Sequence, residues 1–179
     1  MKYHLYLVVL GGRIKGCNIE LHDVRWVVGE SIEDTIISLK KEWFGDKKGL
    51  HIDSYRIIEH VDGMDVTVIH SPSVKQLPGE DYLWFVNLGG YSSQTMAEQH
   101  EFGIIVARTH QLAKSKAKQR WLKGMTKIHK DDLHPINGDP LIDDLLPIDG
   151  NGRWHVQLTP GSGGLSESEV PDWTGYWLI

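Results

Sequence analysis

One cysteine, Cys17, is all that the 179-residue chain offers for sulfur chemistry, so no internal disulfide can form and a reducing, cytoplasmic setting is expected. No apolar run approaches the roughly 20 residues of a membrane-spanning helix. The N-terminal apolar stretch breaks at Gly11 without a small-residue cleavage site, so it does not read as a secretory signal. A net charge of -5 disfavours a general nucleic-acid binder. No complete catalytic motif is present. Cys17 has no oriented base beside it in sequence. The Gly11-Gly12 pair lacks the third glycine and the immediate helix of a dinucleotide fingerprint.

What is there is a stretch that occurs twice. Leu5 to Gly12 followed by Glu20-Leu-His22-Asp23 returns as Leu83 to Gly90 followed by Glu98-Gln-His100-Glu101. The offset is 78 without a gap, and it also carries Trp43 onto Trp121, His51 onto His129 and Asp53 onto Asp131. This is an internal duplication. Cys17 falls on Thr95, outside the duplicated pattern.

Each copy reads as β-β-α-β-β. Leu5 to Leu10 is apolar on both faces, as in a buried central strand. Glu20 to Val28 is a second strand, whose alternation puts Glu20, His22, Val24, Trp26 and Val28 on the more apolar face. Ser31-x-x-Asp34 caps a helix, and Ile32, Ile36, Leu39 and Trp43 form its stripe up to a stop at Gly45. His51 to Ile58 is a third strand, Asp62-Gly63 a tight turn and Val66 to Ile69 a fourth strand. Residues 74–81 link the copies. In the second copy the pattern repeats over 82–160, with an insertion near 134–145 and a closing strand at Trp154 to Leu158. A Gly/Ser-rich segment and an aromatic tail fill 161–179. So many large apolar groups call for cover, by the protein itself or by a second subunit, which would make a homodimer. The expected fold class is α+β, two such units related by pseudo-twofold symmetry.

Two polar pairs recur at strand spacing: Glu20-x-His22 with His51-x-Asp53, and Glu98-x-His100 with His129-x-Asp131. Residues two apart on a strand point the same way, so four nitrogen and oxygen donors per copy could converge. Such a set suits zinc, iron or manganese, or an acid-base cluster. It also suits a satisfied polar pair that only fixes register. Each double glycine reads first as a turn needing positive φ, and second as an anion cradle, helped in the first copy by Arg13 and Lys15.

No acid lies between Glu101 and Asp131, where eight Lys and Arg residues gather. Lys114, Lys118 and Lys123 form a basic face that could take phosphates, and the acid-rich segment that follows could neutralise it.

The chain resembles a small bacterial family known only as domain of unknown function 1543 (DUF1543), whose members carry one or two copies. The resemblance rests on Leu10-Gly-Gly12, Glu20-Leu-His-Asp23, Trp43-Phe44, Leu50-His-Ile-Asp53, Val86-Asn-Leu-Gly-Gly90, Glu98-Gln-His100 and His129-Lys-Asp-Asp132. It implies no activity and carries over no catalytic residue. The leading expectation is a non-catalytic module that binds a small ligand or a protein in a groove between the copies, with no cofactor. A divalent metal at the duplicated pairs, serving a metal-dependent enzyme, is the alternative. Phosphate or nucleic-acid binding through the basic helix is the third reading, with nucleic acid and membrane not expected as partners.

Overall fold

The computed structural model describes residues 2–70, 80–121, 123–124, 127–128, 145–148, 154–161 and 170–179. The chain forms two compact units. One holds Met1–Val74 with Gly150–Ile179, the other Lys75–Asp149. The fold is α+β, and the two copies of one unit pattern fit a tandem duplication.

In the first unit, β1 (His4–Gly12) runs through the centre of a sheet ordered β11-β3-β1-β2, where β2 is Leu21–Gly29, β3 His51–Ile57 and β11 Trp173–Leu178. α1 (Ile32–Glu42) starts at Ser31, whose hydroxyl accepts from the Asp34 amide while the Asp34 carboxylate accepts from the Ser31 amide. This reciprocal cap satisfies two of the amides a helix start leaves open. The helix ends on Trp43 in an extended conformation, not on Gly45. Gly45 is needed for another reason: a Cβ there would sit 2.6 Å from the Arg13 carbonyl oxygen.

α1 covers one face of the sheet. Ile32, Leu39 and Trp43 pack with Tyr6, Val8, Leu10, Val27 and Ile52. Val27 therefore faces the helix, together with Asp23 and Arg25 two and four residues before it. The expected assignment of the more apolar face is thus reversed. The Arg25 guanidinium pairs with Asp23 and reaches the Glu42 carbonyl at the end of α1, so polar groups line part of the helix side. Glu20 and His22 point the other way, away from the helix.

β4 (His60–Val61) and β5 (Met64–Ile69) form a hairpin. Its turn residues Asp62 and Gly63 have φ of 52° and 78°, the left-handed pair that a type I′ turn requires. β10 (His155–Pro160) belongs by sequence order to the second copy, yet it pairs antiparallel with β5, from Val156 opposite Val68 to Leu158 opposite Val66.

The second unit repeats the arrangement with β6 (Tyr82–Tyr91), β7 (Gln99–Ala107) and α2 (His110–Arg120), capped by the Thr109 hydroxyl. At the positions of Thr35, Leu39 and Trp43 stand Ala113, Ala117 and Trp121, packed on Val86, Leu88 and Ile105. Two short strands, β8 (Lys127–Ile128) and β9 (Leu145–Pro147), pair with opposite ends of β6 where β3 alone lies along β1. Ile148 donates to the Leu83 carbonyl as Ile58 donates to the Leu5 carbonyl. The insertion expected near 134–145 lies in sequence between β8 and β9, where residues 129–144 are outside the described residues.

Tyr6 supplies a prediction. Burial, first, and the nearby Tyr55 hydroxyl raise the pKa of its phenol above the ordinary 10.0. The folded state therefore holds this proton more tightly than the unfolded chain. The stability it confers is complete below pH 10 and declines as pH rises from the unfolded value toward the raised one. Thermal melts between about pH 9 and 11 should show a fall in Tm that is shallower in Tyr6→Phe. Parallel falls in both proteins would remove Tyr6 as the cause.

Candidate functional site

The first unit assembles the expected residues around one backbone position, Gly11. In the β1 ladders Gly11 lies opposite His22 of β2 and opposite His51 of β3. The three are on the sheet face away from α1. A register shift between Val9 and Leu10 against β3 bulges Asp53 toward the same place. Glu20, just before β2, completes the group.

His51 is the centre. It is 3 % exposed, and its Nδ1 lies 2.8 Å from the Gly49 carbonyl oxygen. A carbonyl only accepts, so Nδ1 carries a hydrogen. Gly49 can aim that carbonyl because its φ is +82°, open to glycine at no steric cost. Nε2 then points at two carboxylates, Glu20 Oε1 at 2.9 Å and Asp53 Oδ1 at 3.2 Å. The other Asp53 oxygen lies 3.2 Å from His22 Nε2. That oxygen is buried and has no hydrogen bond of acceptable geometry among the described residues. His22 itself is more than half exposed.

The double glycine is not a turn. Gly11 and Gly12 lie inside β1, and neither has positive φ. What excludes a side chain is close approach. A Cβ on Gly11 would meet His51 Cε1 at 2.8 Å and Asp53 Oδ2 at 2.9 Å, and one on Gly12 would meet the Trp43 ring at 2.7 Å. The glycines make room for the cluster on one face and for the tryptophan on the other.

Tyr176 was not among the expected residues. β11 pairs with β3 in two pieces, with the register shifting between Thr174 and Trp177. Trp173 and Trp177 pack on the helix-side core. The shift turns Tyr176 to the other face, where its ring lies 4.1 Å from the His51 ring at 34°. A glycine inside an aromatic run, Gly175, was the available signal for this bulge. The tail thus docks on the protein's own β3.

The second unit reproduces only part of this. Gly89 lies opposite His100, and a Cβ on it would meet Glu98 Cδ at 2.9 Å and His100 Cε1 at 3.3 Å. His100 Nε2 is 3.7 Å from Glu98 Oε2, and the Asn87 amide nitrogen lies 3.1 Å from His100 Nδ1. Glu98 Oε1 is buried without a hydrogen-bond partner among the described residues. His129 and Asp131 lie outside the described residues. On α2, Lys114 and Lys118 are half-buried, and Lys123 is exposed just past the helix. Lys116 instead donates to the Val106 carbonyl at 2.7 Å. The acid-rich segment expected to face them also lies outside the described residues.

Among the described residues no three His, Cys, Asp or Glu groups are drawn around a single ion position. No described helix is long and apolar enough to cross a membrane.

The family model described as Domain of Unknown Function (DUF1543) matches residues 17–68 and 95–146. Among solved structures, the crystal structure of protein Il1583 from Idiomarina loihiensis is similar. It shows 32 % identity, a TM-score of 0.70, and coverage of 99 % of this chain and 98 % of that one. No curated protein sequence matches. The two matched segments each hold one Glu-x-His pair and together span more than half of the chain: it belongs to the DUF1543 family and carries the domain twice.

Proposed function

We propose that the protein is a binding module whose ligand is a divalent cation of the zinc, iron or manganese group, held in the first unit by Glu20, His22, His51 and Asp53. One observation carries this reading. With its hydrogen fixed on Nδ1, a neutral His51 aims a bare lone pair at two carboxylates. That arrangement is repulsive unless positive charge sits between them, either a proton on Nε2 or a metal ion.

Geometry and environment favour room for the ion. Donors around a tetrahedral ion with bonds of about 2.0–2.2 Å lie roughly 3.3–3.6 Å apart. Three contacts here are 2.9, 3.2 and 3.2 Å, the two at Asp53 made by different oxygens, so the side chains must spread and re-aim to take an ion. A metal-bound histidine commonly donates its other nitrogen to a carbonyl, as His51 does to Gly49. The unpartnered Asp53 oxygen gains a partner by the same step.

The test is zinc titration of chelator-treated protein by calorimetry, with metal analysis of untagged material. About one site per chain is expected, weakened by roughly 10–100-fold in His22→Ala and in Glu20→Gln. A flat titration with millimolar zinc, and no co-purified metal, would leave the cluster as a proton-holding scaffold. The exposure of His22 favours a second reading, in which an ion with an open position activates water. Metal-dependent hydrolysis of a simple aryl ester, lost in His22→Ala, would support it. Turnover independent of metal would reject it.

A further inference from the structure

The first unit holds a cleft apart from the metal cluster, and its unused polar groups are mostly acceptors. Its volume is about 720 Å³, within the size range of small-molecule sites, and it is lined by the start of β1, the connection after β3 and strand β5. Leu5, Ile58 and Val66 are the buried part of the lining.

One ammonium, that of Lys2, stands there against two carboxylates, Glu59 and Asp65. Lys2 Nζ donates to Glu59 Oε1 at 3.0 Å, and His4 Nδ1 lies 3.6 Å from the same oxygen. The Lys2 hydrogen bond, ahead of the opposing effect of burial, holds the Glu59 carboxyl below its ordinary 4.5. Asp65 has no lysine or arginine partner among the described residues. Its Oδ1 instead lies 2.6 Å from His60 Nδ1. A carboxylate only accepts, so Nδ1 carries the hydrogen, and a neutral His60 turns a bare Nε2 lone pair outward. Glu59 Oε2 and Asp65 Oδ2 make no hydrogen bond among the described residues. The cleft thus offers two carboxylate oxygens and one imidazole nitrogen to a donor.

These acceptors select among cations. A guanidinium fork needs both oxygens of one carboxylate, and one oxygen of each is already taken. A primary ammonium carries N–H groups that can be aimed singly at separate acceptors. A bare metal ion would leave most of the cleft empty, and no three His, Cys, Asp or Glu groups surround one point among the described residues. The apolar lining calls for a hydrocarbon body beside the charge. The Tyr3 and His70 rings also line the cleft, each packed on Trp154, at 4.5 and 4.9 Å, and they suit a ring.

We propose that this cleft binds a small primary amine with an aromatic body, its ammonium donating to Asp65 Oδ2 and His60 Nε2 and its ring covering Leu5, Ile58 and Val66. The inference is independent of the metal reading, and either can fail alone.

The experiment titrates the full chain, labelled for NMR and freed of metal, with phenethylamine, phenethyl alcohol and phenylacetate at about pH 7. The amine should bind at least about tenfold more tightly than the other two, and should shift the signals of His60, Asp65 and Tyr3. Asp65→Asn should weaken it by about tenfold and His60→Ala by about threefold. Lys2→Ala removes the like charge and frees Glu59, so it should tighten binding by about twofold or more. Equal binding of the alcohol or of phenylacetate, or weaker amine binding in Lys2→Ala, would overturn the requirement for a cation. Shifts confined to residues outside the cleft, or none with the amine at about 10 mM, would overturn the site. His60 shifts with zinc but not with the amine would assign the cleft to a metal ion instead.

Discussion

Gly11→Ala should unfold about 2–12 °C below the native protein. The added methyl would fall within 2.8 Å of His51 Cε1 and closer still to Nε2, with Asp53 Oδ2 at 2.9 Å. None of these is the loose end of a flexible chain. His51 is fixed by the Gly49 carbonyl at its other nitrogen and covered by Tyr176. Either the imidazole leaves its place or β1 shifts in a sheet where it is paired on both sides. Overpacking of this kind costs about 1–3 kcal/mol. At roughly 2–4 °C per kcal/mol for a chain of this size, the loss is readable in a thermal scan.

Gly12→Ala is the matched control. It drives a methyl toward Trp43 on the opposite face, at 2.7 Å, and should cost similar stability. Only Gly11→Ala should also weaken zinc uptake at the proposed site. The double variant Gly11→Ala, His51→Ala should be less damaged than the sum of its parts, because the second change removes the obstacle of the first. Wild-type melting for Gly11→Ala would show that the close approach is not a constraint.

Ending the chain before Val170 should cost at least about 2 kcal/mol, the scale of a single large-to-small core substitution. β11 brings Trp173, Trp177 and Ile179 onto the core formed by Leu10, Leu39, Leu50 and Ile52. Its ends are fixed by backbone bonds from Asp172 to the Tyr55 carbonyl and from Ile179 to the Leu50 carbonyl, and the Asp172 carboxylate accepts from the Ile57 amide at 2.6 Å. Removal strips those contacts and leaves β3 as an edge with open amides, a known route to aggregation. His51 also loses the ring over it. Calorimetry should show the first unit unfolding earlier, while amide exchange across β6, β7 and α2 stays as before. An unchanged melt, with His51 still protected, would mean that β11 is ornamental.

The sequence carried much of this in its periodicities. Ser31 and Asp34 announced the helix start, Asp62-Gly63 the hairpin, and the duplicated Glu-x-His and His-x-Asp spacing brought Glu20, His22, His51 and Asp53 to one place. It was silent where the answer depended on packing. Alternation along β2 could not say which face meets α1, because the helix side is completed by an Asp23–Arg25 pair that reads as polar. Gly11 and Gly12 looked like turn formers because glycine signals both positive φ and close approach, and only the neighbours across the sheet distinguish them. Tyr176 was out of reach for the same reason: its role depends on a strand contributed from more than 100 residues further along the chain. The pairing of β10 with β5 could not be seen either, since the two are counterpart strands of the copies and nothing in their pattern says that one pairs with the other.

That last pairing has a consequence for the birth of the molecule. The second unit is one unbroken stretch, Lys75–Asp149, inserted into a first unit whose remaining strands arrive with Gly150–Ile179. On the ribosome, where N-terminal parts ordinarily fold first, the order is forced to invert. The embedded unit has all of its described strands in hand while its host still waits for β10 and β11. Until Trp173–Leu178 is made, the sheet of β2, β1 and β3 lacks its fourth strand, and His51 lacks the Tyr176 ring over it. Closing it requires contacts across more than 100 residues of sequence, from Asp172 to Ile57, and such long-range closure is the slow part of folding. The Tyr176 cover over His51 is therefore set only after the second unit has been made.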